Sequence, residues 1–254
     1  MNSITSRDGT RISFERTGEG PPLVLVVGAF NDRHKGAPLA AALAPHFCVH
    51  CYDRRGRGGS GDAPNYTVER EVEDLEAVIG AAGGSAAVFG YSSGAMLALK
   101  AAASGLPITK LALYELPPVQ APEHATQLAA LMAEGRRGDA VEYFQEHVVG
   151  IPEHVVHELR SAPFRPLLEA MAHTLVYDVT ILGAGAVTSE QLAQIVQPAL
   201  AIAGGASPPV MREVAAALAR SLPNGRSLTL ENTTHEIAPA ALAPILQRFL
   251  SGSD

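Results

Sequence analysis

Gly90-Tyr91-Ser92-Ser93-Gly94 decides how this chain is read: it is a G-x-S-x-G pentapeptide, and it occurs once. Before it runs Ala86-Ala87-Val88-Phe89, a short apolar segment that reads as a buried strand. After it runs Ala95-Met96-Leu97-Ala98-Leu99-Lys100-Ala101-Ala102-Ala103, rich in helix formers. A serine in so tight a strand-to-helix turn is pushed out of the backbone into open space. Glycines flank it because larger side chains would meet the neighbouring backbone. The new helix aims its free N–H groups, and the positive end of its dipole, at any oxygen that gathers charge beside Ser92. Ser92 is therefore a candidate nucleophile.

Outward from this turn the elements alternate. Leu23 to Val27 is a continuous apolar run, typical of a strand covered on both faces. Strand-like runs recur at 47–52, 86–90, 110–114, 199–203 and 227–230, and residues 10–16 alternate as an edge strand would. Between them lie helical stripes. Val68, Val72, Leu75, Val78 and Ile79 form one; Val210, Val214, Ala217, Leu218 and Leu222 form a second. Leu242, Ile245, Leu246, Phe249 and Leu250 form a third, in a closing helix that starts near Pro239. The plan is α/β, a mostly parallel sheet flanked by helices. From about Pro117 to Pro198 the rhythm breaks into helical patterns punctuated by Pro and Gly. Roughly eighty residues is too long for a plain crossover. The expected organisation is a core from 1–116 and 199–254, with 117–198 as a helical cap over the strand ends, where ligands collect in open sheets.

At 254 residues and 47% hydrophobic content the chain can bury a sizeable core. A net charge of −7 and a pI near 5.7 leave no basic face for nucleic acid. No apolar run reaches membrane-spanning length. Residues 1–8 lack the charged-then-apolar pattern of a signal peptide, so a cytoplasmic location is expected; a homodimer is compatible with this composition. Cys48 and Cys51 form a C-x-x-C within a strand-like run, where residues three apart face opposite ways. They read as buried structural thiols rather than a redox or metal pair.

A nucleophilic serine needs a base, and the base an orienting acid. Of nine histidines, His124, His147, His154, His157 and His173 sit in helical cap patterns. His235 follows the last strand and precedes the closing helix, which puts it on the loop rim with Ser92 and in the serine-acid-histidine chain order of such turns. The turn after strand 199–203, Gly204-Gly205-Ala206-Ser207-Pro208, has no carboxylate. Glu115, at the end of the preceding strand, is the alternative acid, ahead of Asp32, Asp53 and Glu231.

From about residue 10 to 250 the chain resembles enzymes of the α/β-hydrolase fold. Within that superfamily it looks most similar to the zearalenone-type lactone hydrolases. Their nucleophile turn is similar to Ser92-Ser93-Gly94-Ala95, and their acid is a glutamate in a segment similar to Glu115-Leu116-Pro117. Their later loop resembles Gly205-Ala206-Ser207-Pro208 in lacking the usual aspartate. The resemblance implies Ser92 as nucleophile, Glu115 as acid and His235 as base. This chain has no tryptophan, whereas those lactonases use one in the cap to hold substrate. The oxyanion hole is expected from two backbone N–H groups, those of Ser93 and Ala29. The family usually has His-Gly where this chain has Val27-Gly28. Phe30 and Tyr91 are the expected substrate contacts. Cap residues Leu128, Leu131, Met132, Phe144, Leu167, Leu168, Met171 and Leu175 are expected mostly in the core, with a few lining an apolar pocket.

Gly56-Arg57-Gly58-Gly59-Ser60-Gly61 matches G-x-G-x-x-G after a strand, but no helix can start before Thr67, so it is not a dinucleotide site. Arg54, Arg55 and Arg57 read as solvated loop charges in preference to a site that attracts an anionic substrate. The expected activity is hydrolysis of a small-molecule ester or lactone through an acyl-enzyme, with no metal or organic cofactor. Two other readings stay open: a hydrolase-shaped protein that binds a small molecule with little turnover, and a non-hydrolytic enzyme such as a cyclase.

Overall fold

The computed structural model describes residues 1–183, 185 and 187–252. Eight strands form one sheet: β1 (Asn2–Thr5), β2 (Arg11–Thr17), β3 (Pro22–Val26), β4 (Cys48–Tyr52), β5 (Ala86–Tyr91), β6 (Ile108–Tyr114), β7 (Ala199–Gly204) and β8 (Gly225–Leu230). Their order is β1-β2-β4-β3-β5-β6-β7-β8. β1 with β2 and β2 with β4 are antiparallel, and every other neighbouring pair is parallel. The parallel strands β3, β5 and β7 carry the unbroken apolar runs that burial on both faces requires. Residues 11–17 are not the sheet edge. β1 covers them, and its four polar-flanked residues, Asn2-Ser3-Ile4-Thr5, are too short to show a period of two.

Helices α1 (Arg33–Leu43), α2 (Val68–Ala81) and α3 (Ser93–Ala103) follow β3, β4 and β5. Between β6 and β7 come α4 (Glu123–Ala133), α5 (Arg137–Tyr143), a π-helical turn (Phe144–Val149), α6 (Glu153–Leu159), α7 (Arg165–Ala170), α8 (Leu175–Gly183) and α9 (Ser189–Ala193). No strand occurs there among the described residues. The chain closes with α10 (Pro209–Ser221) before β8 and α11 (Pro239–Ser251) after it. Leu75, Val78 and Ile79 of α2 pack with α3 and with Met211, Ala215 and Leu218 of α10 in one apolar cluster. Leu39 and Leu43 of α1 pack with Leu242, Leu246 and Phe249 of α11 in the other. Each such Leu, Ile, Val, Met or Phe side chain, fully buried, contributes about 1.5–3 kcal/mol.

The insert between β6 and β7 has its own apolar cluster, with Leu128, Leu131, Phe144 and Leu175 buried and Met132 and Leu168 partly so. Leu167, at the same helical spacing, is exposed. Ala29 and Phe30, from the loop after β3, pack against this cluster. The chain leaves β3 for β4 on one side and then crosses to β5 on the other. Such a switch opens a crevice at the C-terminal strand ends, beside Ser92.

Candidate active site

Ser92 stands between β5 and α3 at φ 56°, ψ −125°, a backbone region that side chains rarely occupy. The chain reaches that kink because nothing projects from its flanking glycines. A Cβ on Gly90 would lie 2.6 Å from Ala95 Cα, and one on Gly94 would run into the Val26 and Val27 carbonyls. Ser92 precedes the helix yet makes no side-chain capping bond, so its hydroxyl is free for another partner.

That partner is His235, whose Nε2 lies 3.1 Å from Ser92 Oγ. Its Nδ1 lies 3.0 Å from Glu115 Oε2. Glu115 is wholly buried at the end of β6 and also has a positive φ, 54°. Burial works against its negative charge, but bonds from His235, the Gly204 N–H (2.6 Å) and the Ser207 hydroxyl (2.9 Å) outweigh it. The carboxyl is held below its ordinary range. An ionised carboxylate only accepts, so Nδ1 carries the proton and Nε2 is left to accept from Ser92. The Tyr114 hydroxyl donates to the Thr234 carbonyl at 2.6 Å and so pins the loop that carries His235.

The loops thus bring Ser92, Glu115 and His235 onto one hydrogen-bonded chain. The carboxylate missing from the turn after β7 is supplied one strand over, and that turn gives the acid its Gly204 and Ser207 donors instead. The three other acids are engaged or exposed elsewhere. Asp32 caps α1 through the His34 N–H, Asp53 binds Arg33, and Glu231 faces solvent.

The loop after β3 runs directly against the serine: a Cβ on Gly28 would lie 3.3 Å from Ser92 Oγ. Next to it are Ala29 and Phe30, the latter at φ 58° with its ring edge-on to Phe144 of the insert at 5.3 Å. Among the described residues the Ala29 and Ser93 N–H groups donate to no protein acceptor. Tyr91, read from the sequence as a substrate contact, is only 4% exposed. Its ring packs on Tyr114 and lies 5.2 Å from the His235 ring, where it braces the imidazole.

Sequence reasoning erred on the arginines. Arg54, Arg55 and Arg57 are at most 2% exposed and rank among the largest fully buried side chains. Arg54 forms a two-pronged pair with Glu71 (2.6 and 2.7 Å) and reaches Asp178 of α8 at 2.8 Å. Arg57 meets the other Asp178 oxygen at 2.7 Å, and Arg55 pairs with Asp74 at 2.7 and 2.8 Å. Their partners lie 17 to 124 residues away in the chain, which no local pattern reveals. Asp178 itself was not singled out by any motif. No helix opens on the G-x-G-x-x-G stretch; α2 starts only at Val68, with Thr67 as its N-cap.

Among the described residues no group of three His, Cys, Asp or Glu side chains could hold a metal ion, and no helix is long and apolar enough to cross a membrane. Cys48 and Cys51 are buried free thiols. An open cleft of about 540 Å³, lined by Val68, Lys100 and Leu106 among others, lies away from Ser92 and includes none of the three linked residues.

A sheet that switches direction at a kinked serine is matched by sequence comparison as well: the alpha/beta hydrolase family model covers residues 23–245. The chain belongs to the alpha/beta hydrolase family. An alpha/beta hydrolase from Sphaerobacter thermophilus superposes with a TM-score of 0.91 at 55% identity, covering 98% of this chain and 100% of that one. A pimeloyl-[acyl-carrier protein] methyl ester esterase of Stenotrophomonas maltophilia is 31% identical over 94% of this hydrolase and 96% of its own length. The enol-lactonase of Burkholderia xenovorans superposes with a TM-score of 0.72 at 25% identity, over 98% of this chain and 100% of its own.

Proposed function

We propose that this hydrolase cleaves a carboxylic ester or lactone of moderate size through Ser92, His235 and Glu115. The unbroken chain of hydrogen bonds from Ser92 Oγ through the imidazole to a buried carboxylate carries the reading. His235 takes the serine proton as Oγ attacks the carbonyl carbon, and Glu115 steadies the imidazolium that forms. The N–H groups of Ser93 and Ala29 hold the tetrahedral oxyanion. His235 then returns the proton to the leaving alkoxide, and a water activated by the same ring releases the acyl-enzyme. The His235 side chain is 44% exposed, so water reaches the ring.

The insert serves as the cap, with Phe30 and Phe144 forming an apolar wall beside the oxyanion loop. The esterase and enol-lactonase relatives support both substrate classes, and the resemblance to zearalenone-type hydrolases adds larger lactones to the candidates. The missing carboxylate after β7 favours a non-catalytic binding protein, whereas the Glu115 carboxylate on His235 Nδ1 supports the catalytic reading. Two free thiols suit a reducing compartment, and we assign the protein to the cytoplasm.

A fluorophosphonate probe followed by peptide mass spectrometry tests the nucleophile, and a panel of aryl esters and lactones tests the substrate class. Stoichiometric labelling at Ser92 is expected. Folded protein that stays unlabelled overturns the reading.

A further inference from the structure

Asp178 lies on α8 with its carboxylate wholly buried, yet it touches both walls of the crevice at Ser92. Oδ1 accepts from the Ser93 hydroxyl at 2.7 Å and from Arg54 at 2.8 Å. Oδ2 accepts from Arg57 at 2.7 Å. Arg57 in turn donates to the Gly28 carbonyl at 2.5 Å and the Asn31 carbonyl at 3.2 Å, spanning the turn that contains Ala29 and Phe30. Ser93 is the first residue of α3 and carries the other candidate oxyanion donor. One carboxylate from the insert therefore grips the two backbone segments whose N–H groups must converge on a single oxygen.

We propose that Asp178 is a positioning residue that sets the spacing of the oxyanion donors, so that the hole is in register only while α8 is seated. This rests on the nucleophilic role of Ser92. Packing alone does not call for a carboxylate there, since a buried ion cluster returns little net stability compared with apolar contacts of the same volume. What the two oxygens add is direction: Oδ1 holds Ser93 directly and the Val27 carbonyl through Arg54 (3.4 Å), and Oδ2 holds the Gly28–Asn31 turn through Arg57. Burial disfavours the charge, but Arg57, Arg54 and Ser93 hold the carboxyl below its ordinary range, so it stays an acceptor on both sides. The Arg55–Asp74 pair is an internal control, equally buried but bonded to neither wall.

The test compares Asp178→Asn, Ser93→Ala and Asp74→Asn with the wild type. Three properties are measured: hydrolysis of p-nitrophenyl acetate, inhibition by an alkyl trifluoromethyl ketone, and thermal unfolding. The ketone adds Ser92 Oγ to its carbonyl carbon and places the resulting oxyanion in the hole. Asp178→Asn is expected to lower kcat about 10- to 100-fold with KM within about threefold, because small donor displacements act on the transition state. Ketone affinity should fall by the same factor. Ser93→Ala, which removes one grip, should show the same pattern at about three- to tenfold, with its unfolding temperature nearly unchanged. Asp74→Asn should lose thermal stability while kcat stays within about twofold. If Asp178→Asn does not fold, Ser93→Ala and Arg57→Lys carry the comparison.

Wild-type kcat and ketone affinity in the Asp178 and Ser93 variants overturn the proposal. So does a kcat loss in Asp74→Asn that matches its stability loss in the same proportion. Wild-type protein inert to the fluorophosphonate would sink the Ser92 reading, and this one with it. A labelled wild type with unaltered variants sinks this one alone.

Discussion

On one flank of Ser92 the loops after β6, β7 and β8 bring a carboxylate and an imidazole together and leave the imidazole in reach of water. On the other, the loops after β3 and β4 meet the insert through arginines and an aspartate that solvent does not touch. The first flank is suited to moving a proton. Its ring is open to solvent, and its carboxylate is ionised by donors it receives from neighbouring loops. The second is suited to holding still. Arginine does not deprotonate in proteins, and its planar fork fixes the direction of each bond. In the proposed mechanism, moving a proton and aiming two N–H groups at one point fall to different chemistry on opposite sides of one serine.

The sharpest break in this comparison comes from Ser92→Ala. It should lower kcat/KM at least about 10⁴-fold on any substrate of the wild type, with an unchanged circular dichroism spectrum. Glu115→Gln comes next. It keeps the shape but removes the charge that selects the Nδ1–H tautomer, and a loss of about 10³- to 10⁴-fold in kcat is expected. Retention of more than a tenth of the activity would take the acid role away from Glu115. On the dry flank, Phe144→Ala removes the ring that meets Phe30 edge-on and should cost about 3 kcal/mol in urea unfolding, typical of a buried aromatic. Unaltered stability would mean that the insert is not packed on the loop after β3 as described.

The smallest effect is expected from Ser207→Ala, which deletes one donor to Glu115 and should cost about 1–3 kcal/mol at pH 7. The folded carboxyl sits below its unfolded value, so its contribution is fully present above about pH 4.3 and is lost as pH falls through the folded value. Removing Ser207 moves the folded value back up. The urea midpoints of variant and wild type should therefore differ most near neutrality and converge as pH falls through the folded value. A gap that stays constant with pH would show that Ser207 acts by packing alone.

Local signals were readable from the sequence. The kinked serine turn, the buried strands and the helix stripes were all legible, because each rests on a handful of consecutive residues. His235 was legible from its place between the last strand and the last helix. Glu115 came from its strand end and a short resemblance, and its donors Gly204 and Ser207 could not be seen until β6 and β7 lay side by side. β1 escaped because four residues carry no period. The largest error, on Arg54, Arg55 and Arg57, has a physical cause. Consecutive charges in a Gly-rich loop have every reason to be solvated unless carboxylates arrive from elsewhere, and Asp178 arrives from 124 residues further along.

By itself the sequence determined the alternation of strands and helices, the alpha/beta class, and the point where a serine must leave the backbone, since dihedral limits and apolar periodicity act over short stretches. Only the tertiary structure decided which acid faces the imidazole and which carboxylate joins the insert to the loop after β3. Those choices depend on which distant chain segments become neighbours once the sheet is assembled. A buried charge is tolerable only where such a neighbour is found.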